Sequence, residues 1–242
     1  MTDYKNIRGK KVKFLTTDLS SEQAEGQIFY SDTNNDFKSI VASAAWSSGG
    51  SLINAHQETS AAGTQTAGLG FAGSPPTNGI VSTEEYNGSG WAVGGDLNTA
   101  RRAAATFSAS TQTASLIFGG SIAPNPTVSN ATEEYNGTSW TSVNNLPAVK
   151  YVHAGAGIQT AALAFGGYNG TAAVATTEEY DGTNWTAGNA MSTARYSLGS
   201  AGLQTAALAF GGTPPVTAAT EEYDGTNWSG GGSMNTARRY AA

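Results

Sequence analysis

From about residue 46 onward, apolar residues come in short bursts separated by Gly, Asn, Thr and Pro. No stretch settles into the three-to-four spacing of a helix. One unit, Met191 to Trp228, shows the pattern. Tyr196 to Leu203 is small and apolar, which suits a strand crowded near an axis. Gln204-Thr205 predicts a tight turn, and Ala206 to Phe210 a second strand. Gly211-Gly212 ends that strand where the backbone must kink or approach a neighbour closely. A variable loop follows. Thr220-Glu221-Glu222-Tyr223 predicts a third strand, Asp224-Gly225 a hairpin turn of the favoured Asp-Gly kind, and Trp228 opens a fourth, outer strand.

The unit repeats. Thr-Glu-Glu-Tyr ends at Tyr86, Tyr135, Tyr180 and Tyr223, and a tryptophan stands five residues after each: Trp91, Trp140, Trp185 and Trp228. Trp46 fits the same phase, so successive tryptophans are 45, 49, 45 and 43 residues apart. Three further anchors keep the same order. Gln-Thr begins at Gln65, Gln112, Gln159 and Gln204. A Phe-small-Gly element begins at Phe71, Phe118, Phe165 and Phe210. A small-residue-plus-cation element ends at Arg101, Lys150, Arg195 and Arg238, with His56 in the equivalent first place. A period in the mid-forties suits a four-stranded propeller blade or a two-helix repeat, and the Gly/Asn/Thr breaks exclude the helical choice. The expected fold class is therefore all-β: four complete blade repeats over residues 46–242, plus a partial one from Thr236 to Tyr240, behind an N-terminal hairpin segment spanning 1–45.

The registered aromatics Tyr86, Trp91, Tyr135, Trp140, Tyr180, Trp185, Tyr223 and Trp228 read as packing anchors between blades, each burying about 150–250 Å². The part free to vary from repeat to repeat is the loop after the diglycine. Its candidate binding residues are Ser74, Pro75, Pro76 and Asn78, then Pro124 and Asn125, then Tyr168 and Asn169, then Pro214 and Pro215. Variable loops on a rigid scaffold are the usual place for recognition.

Charge and composition narrow the function. The net charge is −6, which argues against nucleic acid and anionic membranes as partners. Five of the twelve cations crowd into the first thirteen residues (Lys5, Arg8, Lys10, Lys11, Lys13), suggesting an anchoring arm or a solvated strand. The absence of cysteine removes disulfides and thiolate metal sites. No apolar run is long enough for a secretory signal or a membrane span, so the expected site of synthesis is a cytoplasm with no export by the usual route.

Catalytic readings fare poorly. The carboxylate pairs Glu84-Glu85, Glu133-Glu134, Glu178-Glu179 and Glu221-Glu222 recur in every repeat, whereas a glycosidase needs one unique pair. Neighbours on a strand also point to opposite faces. No clustered Asp loop suggests calcium. There is no nucleophile elbow, phosphate loop or dinucleotide fingerprint. His56 and His153 read as framework residues. Asn-Gly-Thr at Asn136 and Asn-Trp-Thr at Asn184 match glycosylation acceptors only because turn chemistry supplies them. No enzyme, metal or cofactor is expected.

The order small-Ala-Arg, strand, Phe-Gly-Gly, loop, Glu-Tyr-Asp/Asn-Gly-Thr-x-Trp resembles the kelch motif across residues 46–242. The near-identical Gln-Thr-Ala-Ala-Leu-Ala-Phe-Gly-Gly blocks at 159–167 and 204–212 further resemble kelch-like proteins of marine bacteriophages. The stretch Glu25 to Asp32 followed by Phe37-Lys38 is similar to a short hairpin common in phage tail and fibre proteins. The resemblance implies a β-propeller in a virion structural protein, such as a tail fibre, receptor-binding or particle-surface component. It would contact other virion proteins through residues 1–45, and a host-surface glycan or protein through the loops, as a homo-oligomer. A cytoplasmic protein–protein scaffold and a bacterial carbohydrate-binding adhesin are the alternatives. Copper-dependent kelch oxidases need a cysteine-crosslinked tyrosine, which a chain without cysteine excludes. Kelch rings usually close with six or seven blades. Four repeats imply either a fragment of such a ring or a small ring that the N-terminal hairpin helps to close.

Overall fold

The computed structural model describes residues 48–75, 78–107, 109–124 and 127–240, together with three backbone strands nearer the N-terminus. The contacts divide the chain into two compact units, 1–48 and 49–242. In the first unit, β1 (Phe14–Leu15) runs parallel to β2 (Ile28–Ser31), which pairs antiparallel with β3 (Asp36–Ser39) in the register Tyr30↔Phe37. The stretch likened above to a fibre-type hairpin is thus a hairpin. The basic cluster at Lys5 to Lys13 and Trp46 lie outside the described residues.

The second unit is all-β, a four-bladed β-propeller arrangement of antiparallel sheets. Blade 1 comprises β4 (Ser60–Thr64), β5 (Ala67–Phe71), β6 (Thr83–Tyr86) and β7 (Trp91–Val93). Blade 2 comprises β8 (Ser115–Phe118), β11 (Thr132–Tyr135) and β12 (Trp140–Val143), with the small ribbon β9 (Ser121–Ile122) and β10 (Thr127–Val128) inserted after the diglycine. Its inner strand is reduced to isolated bridges, Ala105↔Phe118 and Thr111↔Ala114. Blade 3 comprises β13 (Ala154–Ile158), β14 (Ala161–Phe165), β15 (Thr177–Tyr180) and β16 (Trp185–Gly188). Blade 4 comprises β17 (Gly199–Leu203), β18 (Ala206–Phe210), β19 (Thr220–Tyr223) and β20 (Trp228–Gly230). The inner strand of this last blade starts three residues later than the sequence pattern suggests. Tyr196 instead forms a lone bridge to Thr213 at the blade's rim.

The turn between the third and fourth strands of each blade is a hairpin, with the tryptophan opening the fourth strand as the sequence predicts. Tyr223 pairs directly with Trp228, so the loop holds four residues. Its first side chain decides the length: Asp224 Oδ1 accepts the amides of Thr226 (2.8 Å) and Asn227 (2.7 Å). Those two bonds also hold the Asp224 carboxyl below the usual carboxylate range. Asn87, Asn136 and Asp181 cap their loops in the same way. A side-chain acceptor satisfying two backbone donors favours the longer Asx-type turn over a bare Asp-Gly pair.

Blades adhere through a set of contacts that recurs at each of the three internal interfaces. The tryptophan of one blade leans on the phenylalanine of the blade before it: Phe71–Trp140, Phe118–Trp185 and Phe165–Trp228 have ring centroids 4.9, 5.0 and 4.8 Å apart. These three phenylalanines are fully buried, and burial of such a side chain is worth about 1.5–3 kcal/mol. The indole N–H then donates to the preceding blade's threonine, as Trp140 Nε1 does to Thr83 Oγ1 at 2.9 Å; Trp185 and Trp228 bond Thr132 and Thr177 alike. The tyrosine hydroxyl donates to the second glutamate of the preceding blade: Tyr135 to Glu85 at 2.5 Å, Tyr180 to Glu134 at 2.9 Å, and Tyr223 to Glu179. Burial first, and the glutamate second, push the Tyr135 phenol up to about 12. Finally a glutamine spans two carbonyls of the preceding blade: Gln112 reaches Gly68 and Tyr86, Gln159 reaches Ser115 and Tyr135, and Gln204 reaches Ala162 and Tyr180.

Candidate functional site

The carboxylate pairs divide between the two faces of the third strand, as alternation requires. The second member receives the neighbouring tyrosine. The first member is buried and receives a cation. Arg101 Nη2 meets Glu133 Oε1 at 2.5 Å, while its Nη1 donates to the carbonyls of Gly119 (3.2 Å) and Ala131 (2.7 Å). Arg195 repeats this with Glu221 (2.8 Å), Gly211 and Ala219 (both 2.9 Å). Lys150 bonds Glu178 and Thr176 Oγ1. Burial lowers the pKa of Arg101 and of Lys150, and the partner glutamate opposes the shift. Each such slot is closed, with side chains at most 7% exposed. In these three slots the glutamate and its cation are thus each other's partners.

The first repeat departs from this plan. His56 stands in the cation's place, with Nε2 3.8 Å from Glu84 Oε1 and 3.4 Å from Ser82 Oγ. Its Nδ1 is buried with no hydrogen-bond partner among the described residues. Glu84 is held by the amides of Ile53 (2.8 Å) and Asn54 (3.0 Å), as Glu133 is by those of Asn98 and Thr99, but it lacks the cation. An imidazole is too short to reach the carbonyls that the arginines bridge. Beside it opens a cleft of about 530 Å³ lined by Asn54, Ala55, His56, Pro75, Gly79, Ile80, Val81, Ser82 and Ala100. A neighbouring hollow shares Ala55, His56 and Pro75, and adds Gln57 and Ser74.

A second feature lies nearer the axis. Glu58, Ala103, Val152, Ser197 and Tyr240, each two residues past the cation position, adopt left-handed backbone with φ between 46° and 54°. For Val152, a β-branched residue, this conformation is costly. Backbone hydrogen bonds between repeats hold it: Val152 N donates to Ala103 O (3.0 Å), Ser197 N to Val152 O (2.8 Å) and Tyr240 N to Ser197 O (2.8 Å). These residues line a hollow of about 320 Å³ together with Thr59, Ala104, His153 and Leu198. Both ring nitrogens of His153 lack a hydrogen-bond partner among the described residues. Burial, and then the Lys150 charge, push this imidazole well below its ordinary 6.5.

The loop residues nominated from sequence fall in separate settings. Ser74 is buried and tied by backbone bonds to Gln57, whereas Pro75 and Asn78 are exposed. Pro75 borders the His56 cleft. Pro124 is exposed, and its carbonyl accepts Thr127 Oγ1. Pro76 and Asn125 lie outside the described residues. Asn169 is exposed and caps its own loop through Thr171 and Ala172. Pro214 and Pro215 are exposed and follow cis peptide bonds. Tyr168 joins a cluster, edge-on to Tyr151 at 5.7 Å and to Tyr196 at 5.5 Å. All three tyrosines are partly exposed. Burial, then the neighbouring tyrosines, raise the pKa of Tyr151.

Tyr151 and Tyr196 were not among the sequence candidates. The sign available was their position: each follows a slot cation directly, where Gln57 and Arg102 stand in the first two repeats. Their apposition to the diglycine loop is a cross-strand pairing, Tyr151↔Tyr168 and Tyr196↔Thr213, that spacing alone does not reveal.

Among the described residues, no three His, Asp or Glu side chains converge as a metal site. No helix there is long and apolar enough to cross a membrane. The fold defines a β-propeller, and such a scaffold fits protein interaction or recognition. No protein-family model matches the chain, and no curated protein matches it.

Proposed function

We propose that this chain is a non-enzymatic recognition component of a bacteriophage particle, either a tail fibre or a particle-surface module. The observation that carries the recognition part is the cluster of Tyr151, Tyr168 and Tyr196, partly exposed beside the loops that follow the diglycines. Tyrosines supply large, rigid, amphipathic contact area at low entropy cost. They sit on a framework whose slots and aromatic contacts are otherwise committed to holding the blades. A host-surface glycan or protein is the partner such a surface suits. The particle setting is supported by the sequence resemblance alone, and fold does not dictate function. In this reading residues 1–45 attach the propeller to other virion proteins.

Mass spectrometry of purified particles tests the setting: the chain is expected as a virion constituent, and its absence rejects that part. Tyr168→Ala combined with exchange of the loop at Pro214-Pro215 tests recognition. Host adsorption should fall at least ten-fold with the protein still folded, and unchanged adsorption rejects the assigned surface.

A further inference from the structure

Among the described residues, the contact set that joins successive blades is left half-filled on blade 1 and on blade 4. Blade 1 carries the donor half. The Tyr86 hydroxyl and the Gln65 amide have no hydrogen-bond partner among the described residues, and Gln65 is exposed. Trp91 Nε1, which in the later blades crosses to a threonine, bonds locally to Gly50 O at 3.1 Å. Blade 4 carries the acceptor half. Phe210 is only half-buried, whereas Phe71, Phe118 and Phe165 are fully buried. Glu222, the counterpart of Glu85, Glu134 and Glu179, is exposed. Thr220 Oγ1 turns to Gly232 O. Leu203, on the same blade, is 51% exposed.

The ion pairs are stranded in the same sense. Arg101, Lys150 and Arg195 each reach the glutamate of the blade that follows. Arg238 is exposed and has no ion pair among the described residues, while Glu84 has only the distant His56.

We propose that blade 4 of one copy receives blade 1 of a second copy, in the geometry already used three times within the chain. By the internal offsets, Trp91 of the second copy lies on Phe210 and donates to Thr220. Its Tyr86 donates to Glu222, and its Gln65 to the carbonyls of Ala207 and Tyr223. Arg238 of the first copy pairs with Glu84 of the second. The contact is heterologous, so it generates a closed ring or an open filament according to the rotation per copy. Segments 49–56 and 231–238 hold equivalent places relative to their blades, so one yields on docking. Asn235, Thr236 and Arg238 then replace Ile53, Asn54 and His56 around Glu84. The backbone donors are exchanged one for one, and a full ion pair replaces a 3.8 Å contact.

The absence of cysteine makes the test direct. Within the chain, Asn144 Nδ2 meets Asn184 Oδ1 at 2.9 Å, and Asn189 Nδ2 meets Asn227 Oδ1 at 3.0 Å, across successive blades. The same offsets fall on Gly232 and Gly90, where an added Cβ meets nothing within 4 Å. Gly90→Cys and Gly232→Cys variants of this 242-residue chain, mixed and treated with a short thiol-reactive cross-linker, should form a product of twice the chain mass. Either protein alone should form at least ten-fold less. Phe210→Arg, or Glu222→Lys, in the Gly232→Cys protein should cut the mixed product at least ten-fold. No mixed product, or one indifferent to both changes, overturns the proposal. So does an internal cross-link at monomer mass in the double-cysteine chain, which would assign the two faces to each other within one copy.

Discussion

Repeats 1 and 2 share the same strand order and the same Thr-Glu-Glu-Tyr strand, yet one holds an open cleft and the other a closed slot. In repeat 2, Arg101 spans a buried carboxylate and two carbonyls, so each charge and lone pair has a partner. In repeat 1, His56 has a buried ring nitrogen unpaired among the described residues, and a cleft beside it. The difference teaches that the glutamates at this position are structural hubs whose cost of burial depends on a long, always-charged arm. A buried carboxylate with such a partner is tolerated, and removal of one member exposes the desolvation cost of the other.

Changes at the two hubs break this comparison most severely. Glu133→Ala leaves Arg101 charged and buried, and is expected to cost about 3–5 kcal/mol in chemical denaturation. Glu84→Ala strands only backbone amides and a histidine, for an expected loss of about 1–3 kcal/mol. Equal losses would show that the arginine is not what distinguishes the repeats.

The buried imidazole of His153 comes next. Its folded-state pKa lies below the unfolded 6.5, so the unfolded chain binds the proton first. Its contribution is fully present above about pH 6.5 and is lost on acidification, at about 1.4 kcal/mol per pH unit down to the folded pKa. Denaturation midpoints of wild type and His153→Leu between pH 7.5 and 5 should therefore differ in slope, with the variant flatter.

The smallest effect sharpens the comparison by converting repeat 1 toward repeat 2. His56→Arg should gain about 1 kcal/mol, as a guanidinium takes up Glu84 and the carbonyls of Ala72 and Ser82. The same change should remove the cleft, visible as loss of solvent exchange at Ser82. A destabilised variant would show that blade 1 is shaped differently around its glutamate.

Much of this was legible beforehand because it is local or repeated. The Tyr–Trp spacing, the diglycine and the Gln-Thr turn mark strand ends by backbone and side-chain chemistry that acts within a few residues. Asp224-Gly225 marks its hairpin turn in the same local way, though the pair by itself does not show that the aspartate caps two amides. Loop variability marked Tyr168, yet passed over Tyr151 and Tyr196. Their role depends on which strand edge faces which loop. His56 was read as a polar framework residue, which describes its position but not the cleft its short side chain leaves.

The chain's order of residues determined the all-β class, the four-fold repetition, the Thr-Glu-Glu-Tyr strands and the glutamate alternation, since each follows from periodicity and short-range hydrogen bonding. Only the tertiary structure decided which repeat is incomplete, which tyrosines meet, and which donors and acceptors are left facing outward. Those outcomes depend on contacts between residues 24 to 57 positions apart. Packing geometry, unlike local propensity, is set by how neighbouring blades fill the space between them.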